Sequence, residues 1–268
     1  MMTRKTTRID LHIHTKGSDG WGRPEDILRY AQRAKLDGLC LTDHHRTYTA
    51  ESLEVARTLR AAGLLAFHGC EYSTAQGHLL VYGVNVELFD WGFYPDPQRV
   101  IREVKAAGGV CIPAHPYKGY KRRYGDDVKK LKGIAGIETA NGQCTFQNPH
   151  ANKQAAAMAV AAGLVTFGGS DAHNPAHIGL CYTQFGAVIE TEKDLLKAMK
   201  QGAAHAVTAK KLVQSELCRR RKTCRIKPAP SYDLLPGLSL DSPVKSVQIP
   251  LDGEWESQWD RDFDPDKH

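Results

Sequence analysis

An α/β fold with a mainly parallel sheet is the architecture this sequence predicts, on three observations. Short apolar runs alternate with amphipathic helical stretches, the signature of βα repetition. His, Asp and Glu residues follow several of those runs, where the strands of parallel barrels hand over to the loops of an active face. A chain of 268 residues, 41% hydrophobic and 25% charged, suffices for one large core and a tail.

Residues 8–14 read as the first strand, and Pro24 opens a helix to about Asp37 in which Ile27, Leu28, Ala31 and Ala34 recur at helical spacing. Residues 38–42 read as the next strand, and 49–62 as a helix stopped by Gly63. Strand-like runs at 64–70 and 78–84 lie too close together for an intervening helix. Pro97 begins a helix reaching Ala107 ahead of a Gly-Gly pair, and 110–114 is a further strand. Residues 134–139 read as a strand, 148–162 as an alanine-rich helix ended by Gly163, 164–169 as a strand, and 192–201 as a final helix. From about Lys210 to His268 a basic cluster (Arg219, Arg220, Arg221, Lys222, Arg225, Lys227) gives way to prolines and then acidic residues, which predicts a largely disordered tail after a catalytic domain at 1–209.

The chemistry begins at Asp10-Leu11-His12-Ile13-His14, because alternate residues of a strand share a face and the two imidazoles project together. Two imidazoles do not complete a coordination sphere, but further ligand types follow. They are Asp19 in Gly-Ser-Asp-Gly, His44 in Leu-Thr-Asp-His-His, Glu71 in Gly-Cys-Glu, His78 in Gly-His-Leu-Leu, His115 in Ala-His-Pro, and Asp171 and His173 in Gly-Gly-Ser-Asp-Ala-His. A lone His-X-His matches by chance, whereas nine such residues at strand ends agree with one another. Imidazole and carboxylate without cysteine suit manganese, zinc or iron. A carboxylate such as Glu71 can bridge two ions, and paired metals about 3.5–4 Å apart promote in-line displacement at phosphorus. Asp10 and Asp43 are candidates to orient the ligating imidazoles; capping a strand-to-loop turn is the alternative for both.

In this order, the motifs resemble the polymerase and histidinol phosphatase (PHP) superfamily of metal-dependent phosphoesterases, over about residues 8–205. The resemblance implies a distorted seven-stranded β/α barrel holding two or three divalent ions, Mn2+ foremost and Zn2+ or Fe2+ as alternatives. His12, His14, Glu71 and Asp171 would hold one metal. Glu71 would bridge to a second held by His78 and His115, and Asp19, His44 and His173 would hold the third. Aspartate at position 19 resembles the branch acting on nucleotides and oligonucleotides, where histidinol phosphatases carry histidine.

The expected activity is hydrolysis of a phosphorylated small molecule or nucleotide by a metal-bound hydroxide, with Glu71, Asp171 and His173 as catalytic residues. Lys118, Lys121, Arg122 and Arg123, in a basic loop after His115, are candidates for phosphate oxygens. Tyr117 and Tyr120 are candidates to stack on a base, and Asn141 and Gln143 to line the mouth. A histidinol-phosphate phosphatase, a silent metal-binding scaffold and attack at a carbonyl carbon remain alternatives.

The seven cysteines are odd in number and sit in apolar runs, as reduced core thiols do. His45, His68, His150, His177, His205 and His268 have no slot in the motif order. The formal charge of +6 is mild. With no signal-like or membrane-spanning stretch, the expectation is a cytoplasmic protein without a membrane partner, whose basic tail makes at most nonspecific nucleic-acid contact. Oligomeric state is not legible.

Overall fold

A computed structural model describes residues 6–119 and 123–224. Nine strands and seven α-helices alternate along them. They are β1 (Thr7–Ile13), α1 (Pro24–Arg33), β2 (Gly38–Leu41), α2 (Ala50–Ala61), β3 (Leu65–Ser73), β4 (His78–Tyr82), α3 (Pro97–Ala106), β5 (Val110–Pro113), β6 (Ile137–Asn141), α4 (Cys144–Gln147), α5 (Pro149–Ala162), β7 (Thr166–Gly169), β8 (Cys181–Phe185), α6 (Glu192–Gln201), β9 (Ala204–Thr208) and α7 (Lys210–Cys224).

The helix starts follow local chemistry. Thr49 and Thr191 accept the backbone N–H of Ser52 and Asp194 in reciprocal capping boxes at α2 and α6, and Pro24 and Pro97 open α1 and α3. Gly163 and Gly202 end α5 and α6 in the left-handed conformation. Helix α1 stops at Arg33, short of the expected Asp37, because Lys35 turns left-handed (φ 56°) and the Asp37 N–H is taken by the Arg8 carbonyl.

Seven strands form one sheet in the order β5-β4-β3-β2-β1-β8-β9, and β6 and β7 pair separately. The α/β class and the curled sheet are those expected; the mainly parallel pairing is not. Only β1–β2, β2–β3 and β6–β7 run parallel, while β3–β4, β4–β5, β1–β8 and β8–β9 are antiparallel. The turn at 74–77 forces one reversal, since so short a connection cannot cross over to a parallel neighbour. Strands β8 and β9 escape the sequence reading because each mixes polar and apolar residues: in β8, Cys181, Thr183 and Phe185 are buried while Tyr182 and Gln184 are half-buried.

Inside the curl, Ile9, Leu11, Phe67, Leu80, Tyr82, Ile112, Phe167 and Phe185 pack together, and Leu195 and Met199 of α6 join that core. Outside it, Ile27 and Ala31 of α1 and Val55, Ala56 and Leu59 of α2 cover β2. Val100, Ile101 and Val104 of α3 pack with Val81, Cys111 and Ile137. Cys40, Cys70, Cys111, Cys144 and Cys181 are buried free thiols, as expected.

The segment after β7 returns across β1: Asp171 N–H donates to His12 O (2.7 Å) and His14 N–H to Ala172 O (3.0 Å). Gly169 permits that approach, because a Cβ there would meet the His12 side chain and backbone nitrogen. Gly169→Ala is therefore expected to cost about 1–3 kcal/mol, read from chemical denaturation.

Two compact units divide at Cys218 and Arg219. The irregular tail expected from residue 210 begins instead as helix α7, in which Glu216 is buried and faces His177 (Oε1–Nε2 3.6 Å). The rest of that tail, from Arg225 to His268 and including Lys227, lies outside the described residues. No described helix is long and apolar enough to cross a membrane.

Candidate metal centre

All nine expected ligand residues converge at one end of the curled sheet. His12 and His14 point inward from β1 and its end, as period-2 alternation requires. Glu71 lies on β3, His78 at the start of β4, and His115, Asp171 and His173 just beyond β5 and β7. His12, His14, Glu71 and Asp171 form a fully buried floor, whereas His44, His78 and His173 are about a quarter exposed at the rim.

The donor atoms fall into three groups: His12, His14, Glu71 and Asp171; Glu71, His78 and His115; and His14, Asp19, His44 and His173. In the first, His12 Nε2 and His14 Nε2 lie 3.2 Å apart and 3.0 and 3.1 Å from Glu71 Oε2. Asp171 Oδ1 stands 3.6 and 3.4 Å from the same two nitrogens. Tetrahedral donors with bonds of about 2.0–2.2 Å sit about 3.3–3.6 Å apart, so this set fits around a divalent cation with small adjustments. The other oxygen, Glu71 Oε1, meets His78 Nδ1 at 2.7 Å and His115 Nε2 at 2.8 Å. Asp19 Oδ2 meets His173 Nε2 at 2.9 Å and His44 Nε2 at 3.5 Å. Glu71 thus joins two groups through separate oxygens, and His14 belongs to two, its Nε2 standing 3.1 Å from Glu71 Oε2 and its Nδ1 3.5 Å from Asp19 Oδ1.

The electrostatics suit cations. Burial opposes ionisation of Glu71, yet His12, His78 and His44 hold its carboxyl well below the usual range. Burial likewise opposes ionisation of Asp171, and Lys118 and His12 override it. Burial alone would lower the His12 pKa, but Glu71, Asp171 and Glu138 raise it well above the imidazole range. His44 is raised to about 9, against its burial, by Glu71 and Asp19. Protons and divalent cations therefore compete for one negative centre.

Backbone strain marks the same place. His115 (φ 25°) and Asp171 (φ 53°) adopt positive φ without being glycine. Hydrogen bonds hold both: His115 N–H donates to Glu138 Oε2 (2.7 Å), and Asp171 N–H to the His12 carbonyl.

The supporting residues differ from those expected. Glu138, on β6, lies against His12 Nδ1 (3.0 Å) and accepts from Asn141 Nδ2 (3.0 Å) as well as from the His115 backbone. It orients the His12 ring, the part expected of Asp10. Asp10 instead accepts the backbone N–H groups of Ser170 (2.8 Å) and Gly179 (2.9 Å), and burial raises its pKa to about 6. Asp43 takes the turn-building alternative, accepting from Thr15 N–H (2.7 Å), the Thr15 hydroxyl (2.6 Å), Ser18 and Thr49.

In the basic loop, Lys118 Nζ is drawn inward onto Asp171 Oδ2 (2.8 Å) and Gln143 Oε1 (3.2 Å). Arg123 is exposed and donates to the Gly119 carbonyl (3.0 Å), and Lys121, Arg122 and Tyr120 lie outside the described residues. Tyr117 is buried and donates to Asp126 (2.7 Å), which removes it as a stacking surface. Gln143 and Asn141 do line the site: Gln143 Nε2 approaches His173 Nδ1 (2.7 Å), and Asn141 Nδ2 donates to Asp171 Oδ2 (3.2 Å).

Comparison with known proteins places this geometry. The model of the PHP domain matches residues 10–139 and that of the PHP-associated region residues 149–204. MJ1587 of Methanocaldococcus jannaschii is 27% identical over 145 residues, half of this chain and 81% of that protein. Among solved structures, PsfC from Pseudomonas syringae superposes with a TM-score of 0.62 at 19% identity, covering 82% of this chain and all of that one. A two-domain protein from Bacteroides vulgatus, containing a predicted PHP-like metal-dependent phosphoesterase, gives 0.56 at 20% identity over 76% of this chain and 65% of its own. The lesion-specific endonuclease PfuEndoQ from Pyrococcus furiosus gives 0.53 at 17% identity over 75% and 57%. At these identities the structures share the fold. The two matched regions together span most of the chain and contain every residue of the three donor groups, so the chain belongs to the PHP superfamily.

Proposed function

We propose that this chain is a metal-dependent phosphoesterase acting on a phosphorylated small molecule or nucleotide. The observation that carries the reading is the placement of Glu71, whose two oxygens face two different groups of imidazoles from a fully buried position. His12, His14, Glu71 and Asp171 would hold one cation, Glu71, His78 and His115 a second, and Asp19, His44 and His173 a third; Mn2+, Zn2+ and Fe2+ all suit these donors. When bound, such metals activate water and offset the charge of a phosphoryl group.

The chain's own residues supply the rest. Glu138 fixes the His12 ring. Lys118, reaching over the floor from the rim, is assigned to a non-bridging phosphoryl oxygen, where a charge-assisted hydrogen bond strengthens as negative charge develops. Both ring nitrogens of His173 are engaged, one by Gln143 and the other beside Asp19 in the third donor group, so its role is that of a ligand there rather than that of a proton donor to the leaving oxygen.

Lys118→Ala is expected to retain bound metal and lose about 10- to 100-fold in kcat/KM, the worth of one such hydrogen bond. Phosphate release in manganese-supplemented buffer, assayed over nucleotides, 3′,5′-bisphosphates, short RNA and histidinol phosphate, tests the whole reading. Turnover of none of these by metal-loaded protein would move the weight to a metal-binding scaffold or to attack at carbonyl carbon.

A further inference from the structure

Gln143 belongs to none of the three donor groups, yet its side-chain amide touches the lysine assigned to phosphate and two of the ligand residues. It stands where β6 hands over to α4, and the chain there is tightly fixed. Asn141 Oδ1 accepts the Cys144 N–H (2.9 Å), and Gly142 N–H donates to the Gly169 carbonyl (3.0 Å). Gly142 also runs so close to the next segment that a Cβ would meet the Ser170 carbonyl oxygen. An amide set on such a base is a rigid arm.

Both ends of that amide are used. Oε1 accepts from Lys118 Nζ (3.2 Å), while Nε2 donates to the Asp171 carbonyl (2.9 Å) and lies 2.7 Å from His173 Nδ1. Asp171 divides its own carboxylate in a matching way. Its Oδ1 faces His12 and His14 of the first donor group, which leaves Oδ2 to Lys118 Nζ at 2.8 Å.

A lysine needs such guides, because an ammonium on a flexible four-carbon stem otherwise acts as a point charge without direction. It carries three N–H donors. Gln143 Oε1 and Asp171 Oδ2 accept two of them, so tetrahedral geometry at Nζ sets the direction of the third. With Asp171 alone, the ammonium would still turn about a single hydrogen bond.

We infer that Gln143 is a positioning residue that aims the third Lys118 N–H at a non-bridging phosphoryl oxygen; the inference rests on the phosphate role proposed above for Lys118. The same amide also steadies the His173 ring from the side of Nδ1, an effect on the third donor group that does not pass through Lys118.

Calorimetric titration with inorganic phosphate separates the two effects, using the full chain loaded to equal manganese content in the parent, Lys118→Ala, Gln143→Leu and the double variant. Gln143→Leu is expected to weaken phosphate about fivefold, the worth of one neutral hydrogen bond, but by less than about twofold once Lys118 is already alanine. Gln143→Asn keeps the amide and draws it back by one methylene, so it should behave as Gln143→Leu does; it decides the matter if the leucine variant does not fold. Chelator competition should show manganese held more weakly in Gln143→Leu by the same factor in both backgrounds, because that loss passes through His173. Equal phosphate binding by parent and Gln143→Leu, or the same loss of phosphate with and without Lys118, would overturn the inference and leave the phosphoesterase reading standing. No phosphate binding by the manganese-loaded parent would instead overturn that reading, and the inference with it.

Discussion

Glu71→Ala is expected to abolish turnover and to lower the metal content of the purified protein by at least one ion per chain, the largest effect of any single change in the centre. Its Oε2 stands 3.0 and 3.1 Å from the His12 and His14 nitrogens, and its Oε1 stands 2.7 and 2.8 Å from His78 and His115. Removing the side chain therefore takes a donor from two groups at once. It also removes a buried negative charge that offsets a divalent cation's charge in the low-dielectric floor, so the imidazoles that remain hold a cation more weakly. Elemental analysis and phosphate release on the same preparation check this. Full metal content with lost turnover would assign Glu71 to chemistry alone, and unchanged turnover would refute the proposed centre.

Glu138→Ala should follow closely, although Glu138 belongs to none of the three donor groups. Its two oxygens face the His12 ring, the His115 backbone N–H and the Asn141 amide, all from a buried position. Loss of an outer partner of a ligating histidine typically costs 10- to 100-fold in metal affinity, roughly the range expected here. The orphaned N–H of His115 matters further, because that residue holds positive φ against its preference. A fall in stability of about 1–3 kcal/mol is expected from the unpaired buried donors. Glu138→Gln keeps an acceptor for the backbone and should recover stability more than metal affinity. Competition with a chromophoric chelator separates the two effects, and wild-type affinity in Glu138→Ala would remove Glu138 from the centre.

Much of this centre was legible before any coordinates. Strand alternation put His12 and His14 on one face, and the motif order brought Asp19, His44, Glu71, His78, His115, Asp171 and His173 forward as their companions. Each sits close to a strand end, where local punctuation by glycine, proline and turn residues reveals the handover from strand to loop. Glu138 was invisible for the opposite reason. It stands in β6 between Ile137 and Thr139 with no histidine or aspartate beside it, and its partner His12 is 126 positions away. Asp10 looked better because it neighbours His12 in sequence, yet its carboxylate is spent on the backbone of Ser170 and Gly179.

Lys118 teaches the same lesson about charge. Its sequence neighbours make it one of a basic run, and only the fold distinguishes it from Arg123: one nitrogen is drawn onto Asp171 while the other side chain remains at the surface. The direction of the strands was equally out of reach. A run of apolar residues has the same composition whichever way its neighbour runs, and four of the seven pairings proved antiparallel. By itself, then, the sequence determined the α/β class, the helix boundaries set by caps and glycines, and the inventory of candidate metal-ligating side chains, because each depends on spacing within a few residues. Tertiary structure decided sheet direction, the partner of His12 and the inward turn of Lys118, because these depend on contacts between segments that only folding brings together.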